Sequence, residues 1–322
     1  MKFSVSSASV LLVILALPLL GVKPGSAGRD LARFSFTPAN GARPDITGSG
    51  LAQSPITTIY PTFTTIDVPG AGVTEVSGIN AAGEMVGLYG KTDYDAHQRG
   101  FLLKNGKFIH VDYPKAYTTL AFGINDAGIV VGSAGLKDRT VYVGFTYDGA
   151  TFTPLRDGSD SATCSYSIND ANNIVGGAGT VYGSKGFLES NGIYTPINFP
   201  GVNVYEYATN INNLGEIVGL TDYDAYTYIN GQFQNIDVPG ASQTGAFGIN
   251  DQGIISGYYF LDPAAHGFAL FKGKYVSFSF PGATETTATG INAAGNIVGA
   301  YDLADGTVHG FVTSPITAAD FQ

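Results

Sequence analysis

The sequence predicts an all-β fold built from repeated four-stranded units, and three observations predict it. First, the stretch Gly78-Ile79-Asn80-Ala81-Ala82-Gly83-Glu84-Met85-Val86-Gly87 recurs. Its Ile-Asn pair returns at Asn125, Asn169, Asn212, Asn250 and Asn292, at spacings of 45, 44, 43, 38 and 42 residues. Each copy carries a glycine seven residues after the Asn: Gly87, Gly132, Gly176, Gly219, Gly257 and Gly299. Second, the 322 residues include 44 Gly, 19 Tyr and 20 Phe but no Trp, and only 13% are charged. Aromatic and β-branched residues in short runs between glycines favour strands and tight turns. Third, the sixth unit stops after its third strand, and the missing fourth strand stands at the other end of the array, at residues 63–67.

The elements follow in chain order. Val10 to Val22 form an apolar run after Lys2, and Gly25, Ser26 and Ala27 offer a cleavage site, so residues 1–27 read as a signal peptide. About 13 apolar residues are too few to span a bilayer. Residues 28–59 are polar and broken by Pro and Gly, and read as a tether or loosely ordered extension. Residues 60–316 hold the array, and 317–322 a C-terminal tail.

Within a unit, the first strand ends at the Gly-Ile-Asn. A turn over Asn80–Gly83 follows, where Asn binds local backbone and Gly takes the left-handed position. The second strand runs to about Tyr89. The third, near Gly100-Phe101-Leu102-Leu103, meets the fourth across Asn105-Gly106, a dipeptide suited to a type I′ turn. That turn is expected again at Asp148-Gly149, Asn191-Gly192, Asn230-Gly231 and Lys272-Gly273. A Pro-Gly step then leads to the next unit, as at Pro69-Gly70 and Pro239-Gly240.

Four antiparallel strands per unit match a β-propeller blade. A strand displaced from the last unit to the front of the array is what a ring requires and a straight solenoid does not. The expected architecture is therefore a six-bladed β-propeller whose last blade is closed by the N-terminal strand.

The repeated Gly-Ile-Asn, turn and Gly, followed by His266-Gly267-Phe268 and His309-Gly310-Phe311, resembles the HAF repeat of extracellular bacterial proteins. Gly stands here for the Ala of that name, and Arg99, Val143 and Lys185 precede the Gly-Phe or its equivalent in other units. Unit four reads Tyr226-Thr227-Tyr228 at this place. The resemblance implies export and a propeller-like fold. It implies no reaction and carries over no catalytic residue.

Net charge is −10, and about −12 without residues 1–27, so nucleic acid and anionic lipid are disfavoured as partners. The single cysteine, Cys164, reads as a small buried residue. No zinc-ligand spacing, nucleophile elbow or phosphate loop is present. The second-to-third-strand loops carry the chain's irregular chemistry, so recognition is expected on their face. Thr74, Thr119, Thr163, Glu206, Thr244 and Thr286, each six residues before a repeated Asn, begin the innermost strands and could form a polar ring at the channel mouth. The competing reading is a hydroxyl bonded to turn backbone. Tyr182 and Tyr205 add amphipathic rings suited to sugar or protein contact. Asp93 with Asp95, and Asp222 with Asp224, are paired loop carboxylates that could hold Ca²⁺ weakly, although EF-hand spacing is absent.

The expected function is a secreted or periplasmic, non-enzymatic propeller, a monomer that binds a protein, glycan or extracellular polymer. The alternatives are a propeller hydrolase or lyase with a channel-mouth site, and a passive envelope protein.

Overall fold

The computed structural model describes residues 56–322 except 93–96, 137–141, 157–161, 181–182, 202–204, 222–223 and 262. The expected signal peptide, residues 1–27, and most of the expected N-terminal extension therefore lie outside the described residues. The fold is all-β, with sheets of four antiparallel strands. In the first unit the strands are Val73–Ile79, Met85–Gly90, Arg99–Lys104 and Lys107–Val111, each paired with the next. The next four units repeat this order from Thr118, Ala162, Glu206 and Gln243. Glu285–Ile291, Ile297–Asp302 and Val308–Thr313 form the sixth, and Phe63–Ile66 pairs antiparallel with the last of these. One parallel bridge, Val308 to Val73, makes this sheet continuous with the first unit.

Local chemistry sets these elements. Gly83 at φ 77° and Gly128 at φ 81° take the left-handed residue of the Asn turns, while unit three uses Asn172 at φ 61°. Asn105 and Gly106 both have positive φ, as the type I′ turn demands. The same holds at residues 191–192, 230–231 and 272–273. Asp148-Gly149 departs from the expectation. Tyr147 pairs with Phe152, leaving a four-residue loop in which Asp148 Oδ1 accepts the amides of Ala150 and Thr151. A carboxylate able to bind two amides favours that wider turn over I′.

The repeated second-strand glycine has a packing cause. In each unit the third-strand aromatic opposite it lies across it: Phe101 on Gly87, Phe145 on Gly132, Phe187 on Gly176, and Phe268 on Gly257. A Cβ would also meet the first strand's carbonyl, as Glu75 O blocks it at Gly87. In unit four, Tyr226 lies opposite Gly219, so the motif column there is Asp224-Ala225-Tyr226, not Tyr226-Thr227-Tyr228. The aromatic opposite the glycine is kept, two residues earlier than the sequence suggested. These five rings, and Phe311 on Gly299 in unit six, are all nearly fully buried, each worth roughly 1.5–3 kcal/mol in removal from water.

Described residues flanking the array add to it. Thr57–Thr58 pairs in parallel with Lys274–Phe278 as a fifth strand of the fifth unit, and Ile59 N donates to Ser277 O. At the C-terminus Ile316 and Phe321 are buried, and Ala318–Phe321 forms a 3₁₀ turn. No helix among the described residues is long and apolar enough to cross a membrane.

Candidate functional site at the axis

Every first strand contains a bulge, between Val76 and Gly78 in unit one and at the matching place in the others. A bulge re-aims one side chain, and the six bulged residues, Ser77, Phe122, Tyr166, Thr209, Phe247 and Thr289, meet around one small space of about 30 Å³. Side chains from six units can meet only on a common axis. Phe122, Tyr166 and Phe247 join Leu120, Cys164, Tyr207 and Tyr258 in an apolar cluster that fills that axis.

At one end the six repeated Asn side chains form a cycle. Asn80 Nδ2 donates to Asn125 O, Asn125 to Asn169 O, Asn169 to Asn212 O, Asn212 to Asn250 O, and Asn250 to Asn292 O. Asn292 Nδ2 returns to Asn80 O. Each Oδ1 meanwhile accepts the amide four residues on, as Glu84 N to Asn80. Sequence reasoning assigned this Asn only its local turn bond and missed the bond between units. The signal was available: Asp makes the same turn but has no donor, and it never replaces Asn in the six copies. Outside this cycle, Asp126, Asp170, Asn213 and Asp251 accept the amides of Ala81, Asp126, Asp170 and Asn213. The rim encloses a polar recess of about 90 Å³.

The other end carries the loops between second and third strands. There the polar column resolves toward its structural reading. Thr74 Oγ1 accepts Val68 N, Thr119 accepts Tyr113 N, Thr244 accepts Val238 N, and Thr286 accepts Phe280 N, over 2.9–3.1 Å. Glu206 Oε1 takes the same part toward Phe199 N at 2.8 Å. All five are buried, so they fasten five of the connections to the next first strand; Thr163, in the same column, is buried too, but its hydroxyl has no partner among the described residues. Burial pushes the Glu206 carboxyl up to about 7, against the opposing pull of the Phe199 amide, Lys185 and Tyr226.

Tyr205 and Phe260 are only partly buried and pack on the axial cluster at this same end. Tyr258 meets Phe260 edge to face at 5.6 Å, and His97 stacks on Tyr117 at 4.7 Å. Glu75, on the first strand of unit one, is a carboxylate only 1% exposed. Tyr182, Asp93, Asp95 and Asp222 lie outside the described residues. Asp224 is described, and its backbone closes a turn with Thr221. Among the described residues no group of three or more His, Cys, Asp or Glu side chains is placed to hold a metal ion. The Cys164 thiol is fully enclosed, and burial pushes it up to about 12.

No family model matches the chain, and no curated protein matches it. Among solved structures it is similar to a protein designated a gluconolactonase, at 12% identity over 80% of this chain and 94% of that one, with a TM-score of 0.50. It is also similar to streptogramin B lyase, at 10% identity over 79% and 98% of the two chains, with a TM-score of 0.47. The β-propeller domain of the Trilobed protease from Pyrococcus furiosus matches at 12% identity over 76% and 94%, with a TM-score of 0.45. At such identities a likeness speaks to fold alone, and that to the first of these agrees with the strand pairing in an all-β fold.

Proposed function

We propose that the chain is a closed six-bladed β-propeller of the HAF-repeat kind, exported by its N-terminal signal, that binds an extracellular glycan or polymer. The blade count rests on the cycle of six Asn bonds, with the continuous sheet of the first and sixth units counted as two blades. The observation that carries the binding reading is the pair of half-exposed rings, Tyr205 and Phe260, seated on the axial aromatic cluster at the loop-bearing end. A partly exposed ring packed on a buried cluster offers a rigid apolar platform at little entropic cost, which suits a sugar face.

The test is sedimentation of the purified protein with insoluble chitin, cellulose and peptidoglycan. The expected result is retention on at least one polymer, lost in Tyr205→Ala with Phe260→Ala while the melting temperature stays close to wild type. Absence of retention on all three, or retention that ignores both rings, contradicts the reading. A second reading, a hydrolase or lyase at the same mouth, is favoured by the buried carboxylate of Glu75 near the axis. The same experiment separates the two, since a catalyst releases soluble fragments and a binder leaves the polymer intact.

A further inference from the structure

The residue seven before each repeated Asn sits at or just before the start of its first strand, at the loop-bearing end. In units one to three this level is small and closed. Val73 lies opposite Gly90, Thr118 opposite Gly135 and Ala162 opposite Gly179, and all three first-strand residues are buried. In units four to six the level is open and carries other chemistry. Tyr205 stands there in unit four, Gln243 lies opposite Phe260 in unit five, and Glu285 lies opposite Asp302 in unit six. Tyr205, Gln243, Phe260 and Glu285 are each partly exposed, whereas Asp302 is buried.

The two carboxylates stand in a costly arrangement. Directly opposed residues of an antiparallel pair point to one face with Cβ atoms about 4.5–5.5 Å apart, and like charges placed so repel. Thr284 N and Oγ1 both donate to the Asp302 carbonyl, at 2.8 and 3.1 Å, which fixes this end of the pair. Ile255–Leu261, the second strand of unit five, packs against Glu285–Ile291. On it, Tyr258 is fully buried, and its hydroxyl has no hydrogen-bond partner among the described residues. Burial, and after it the charge of Glu285, hold this phenol above its usual range, so it stays neutral. Its ring meets Phe260 at 5.6 Å. The carboxylate pair, a buried hydroxyl and the Phe260 ring thus adjoin one another where units five and six meet.

A cation between the carboxylates removes their repulsion. Two carboxylates are too few for a hard divalent ion, which takes about six to eight oxygens. Among the described residues no third His, Cys, Asp or Glu joins them to hold a metal. They suit an ammonium, which donates hydrogen bonds and accepts none, while the neighbouring ring suits the apolar face of a sugar.

We infer that the glycan received at this mouth is amine-bearing, a polymer of hexosamine with free amino groups, whose ammonium lies against Glu285 and Asp302 while a sugar face rests on Phe260. The inference rests on the glycan reading above and deepens it. It agrees with the chain's net charge of −10, and it disfavours uronate polymers, whose carboxylates would meet the same pair.

The experiment is calorimetric titration with two soluble oligosaccharides of equal length, one of glucosamine and one of N-acetylglucosamine, at a weakly acidic pH that keeps the amine protonated. Wild type should bind the glucosamine oligomer about tenfold or more tighter than the acetylated one, the scale of one charge-assisted hydrogen bond. Glu285→Gln with Asp302→Asn should erase that preference, and Glu285→Gln alone should weaken it if the double variant fails to fold. Asp126→Asn with Asp170→Asn removes the same charge at the opposite end of the axis, where Asn213 already fills the column, and should keep the preference. Equal affinity for the two oligomers, or a preference lost equally in the distant variant, would overturn the amine site and leave the glycan reading standing. Binding of neither oligomer would overturn it too, with retention on the insoluble polymers then deciding the glycan reading by itself.

Discussion

Asn292 donates its side-chain amide to the backbone carbonyl of Asn80, 3.2 Å away and 212 residues earlier in the chain. Thr289 repeats the connection one turn of strand away, with Oγ1 donating to Val76 O at 2.6 Å. The bond between the last and first copies has the same donor, acceptor and length as the bonds between consecutive copies. A chain that ended in an open array would have no acceptor at that place.

Truncating Asn292 to Ala should therefore cost as much as truncating Asn169, an internal member of the cycle. Each loses a donor to the neighbouring unit and an acceptor for its own turn, in a buried setting, so about 2–4 kcal/mol is expected. Equilibrium urea denaturation measures it. A cost for Asn292→Ala well below that for Asn169→Ala would mean that the last copy is not held to the first.

Glu206 gives the fold a slope against pH. Its carboxyl is raised to about 7 in the folded state, above the ordinary glutamate value of the unfolded chain. Below that ordinary value both states are protonated and the contribution is fully present. From there to about pH 7 the folded state holds a proton that the unfolded state has released, and stability falls as pH rises. Between pH 5 and pH 8 the loss should be about 2 kcal/mol, and Glu206→Gln should remove that part of it. Parallel pH profiles for the two proteins would show that the carboxyl does not titrate in this way.

Cys164 should behave as an inert core residue. With the thiol at about 12 and fully enclosed, a thiol-specific chromogenic reagent should react only as fast as the protein unfolds. Fast stoichiometric labelling of native protein at neutral pH would contradict the axial packing.

Much of this was legible in the sequence, for physical reasons that differ by element. Turn positions could be read because Asn105, Gly106 and Gly83 adopt conformations that few residues tolerate, so their identity reports their geometry. The displaced closing strand could be read because residues 63–67 match Phe108 to Asp112 while the sixth unit lacks such a strand. The bulge could not be read, since nothing in Ser77, Phe122 or Tyr166 marks a side chain re-aimed by backbone register. The Thr and Glu206 column could be read as a column, and its bonding to turn backbone as one of two readings, but not which amides, six or seven residues earlier, it accepts. Thr57–Thr58 went unread because two residues carry no period, and their pairing with Lys274–Phe278 is set by the fold.

Stepwise removal of the N-terminus should separate these two strands. A chain starting at Ile56 should melt like the full array. Starting at Thr62 removes Thr57–Thr58 and uncovers the edge of the fifth unit, with a small loss. Starting at Gly72 also removes Phe63, whose ring packs on Phe280 and Phe311 at 5.1 and 5.3 Å, and should cost about 3 kcal/mol or more. Equal melting of the last two would deny the closing strand any part in stability.

The central claim, that the ring is closed by its own N-terminal strand, is tested most directly by a covalent bond across the seam. Thr64 lies opposite Val312 in the antiparallel register, and cross-strand partners of this kind bring Cβ atoms to within reach of a disulfide. In the variant carrying Thr64→Cys and Val312→Cys, mild oxidation should link the two within one chain, leave Cys164 reduced and raise the melting temperature. A folded protein in which both introduced thiols stay free, or pair only between molecules, would contradict the closed ring.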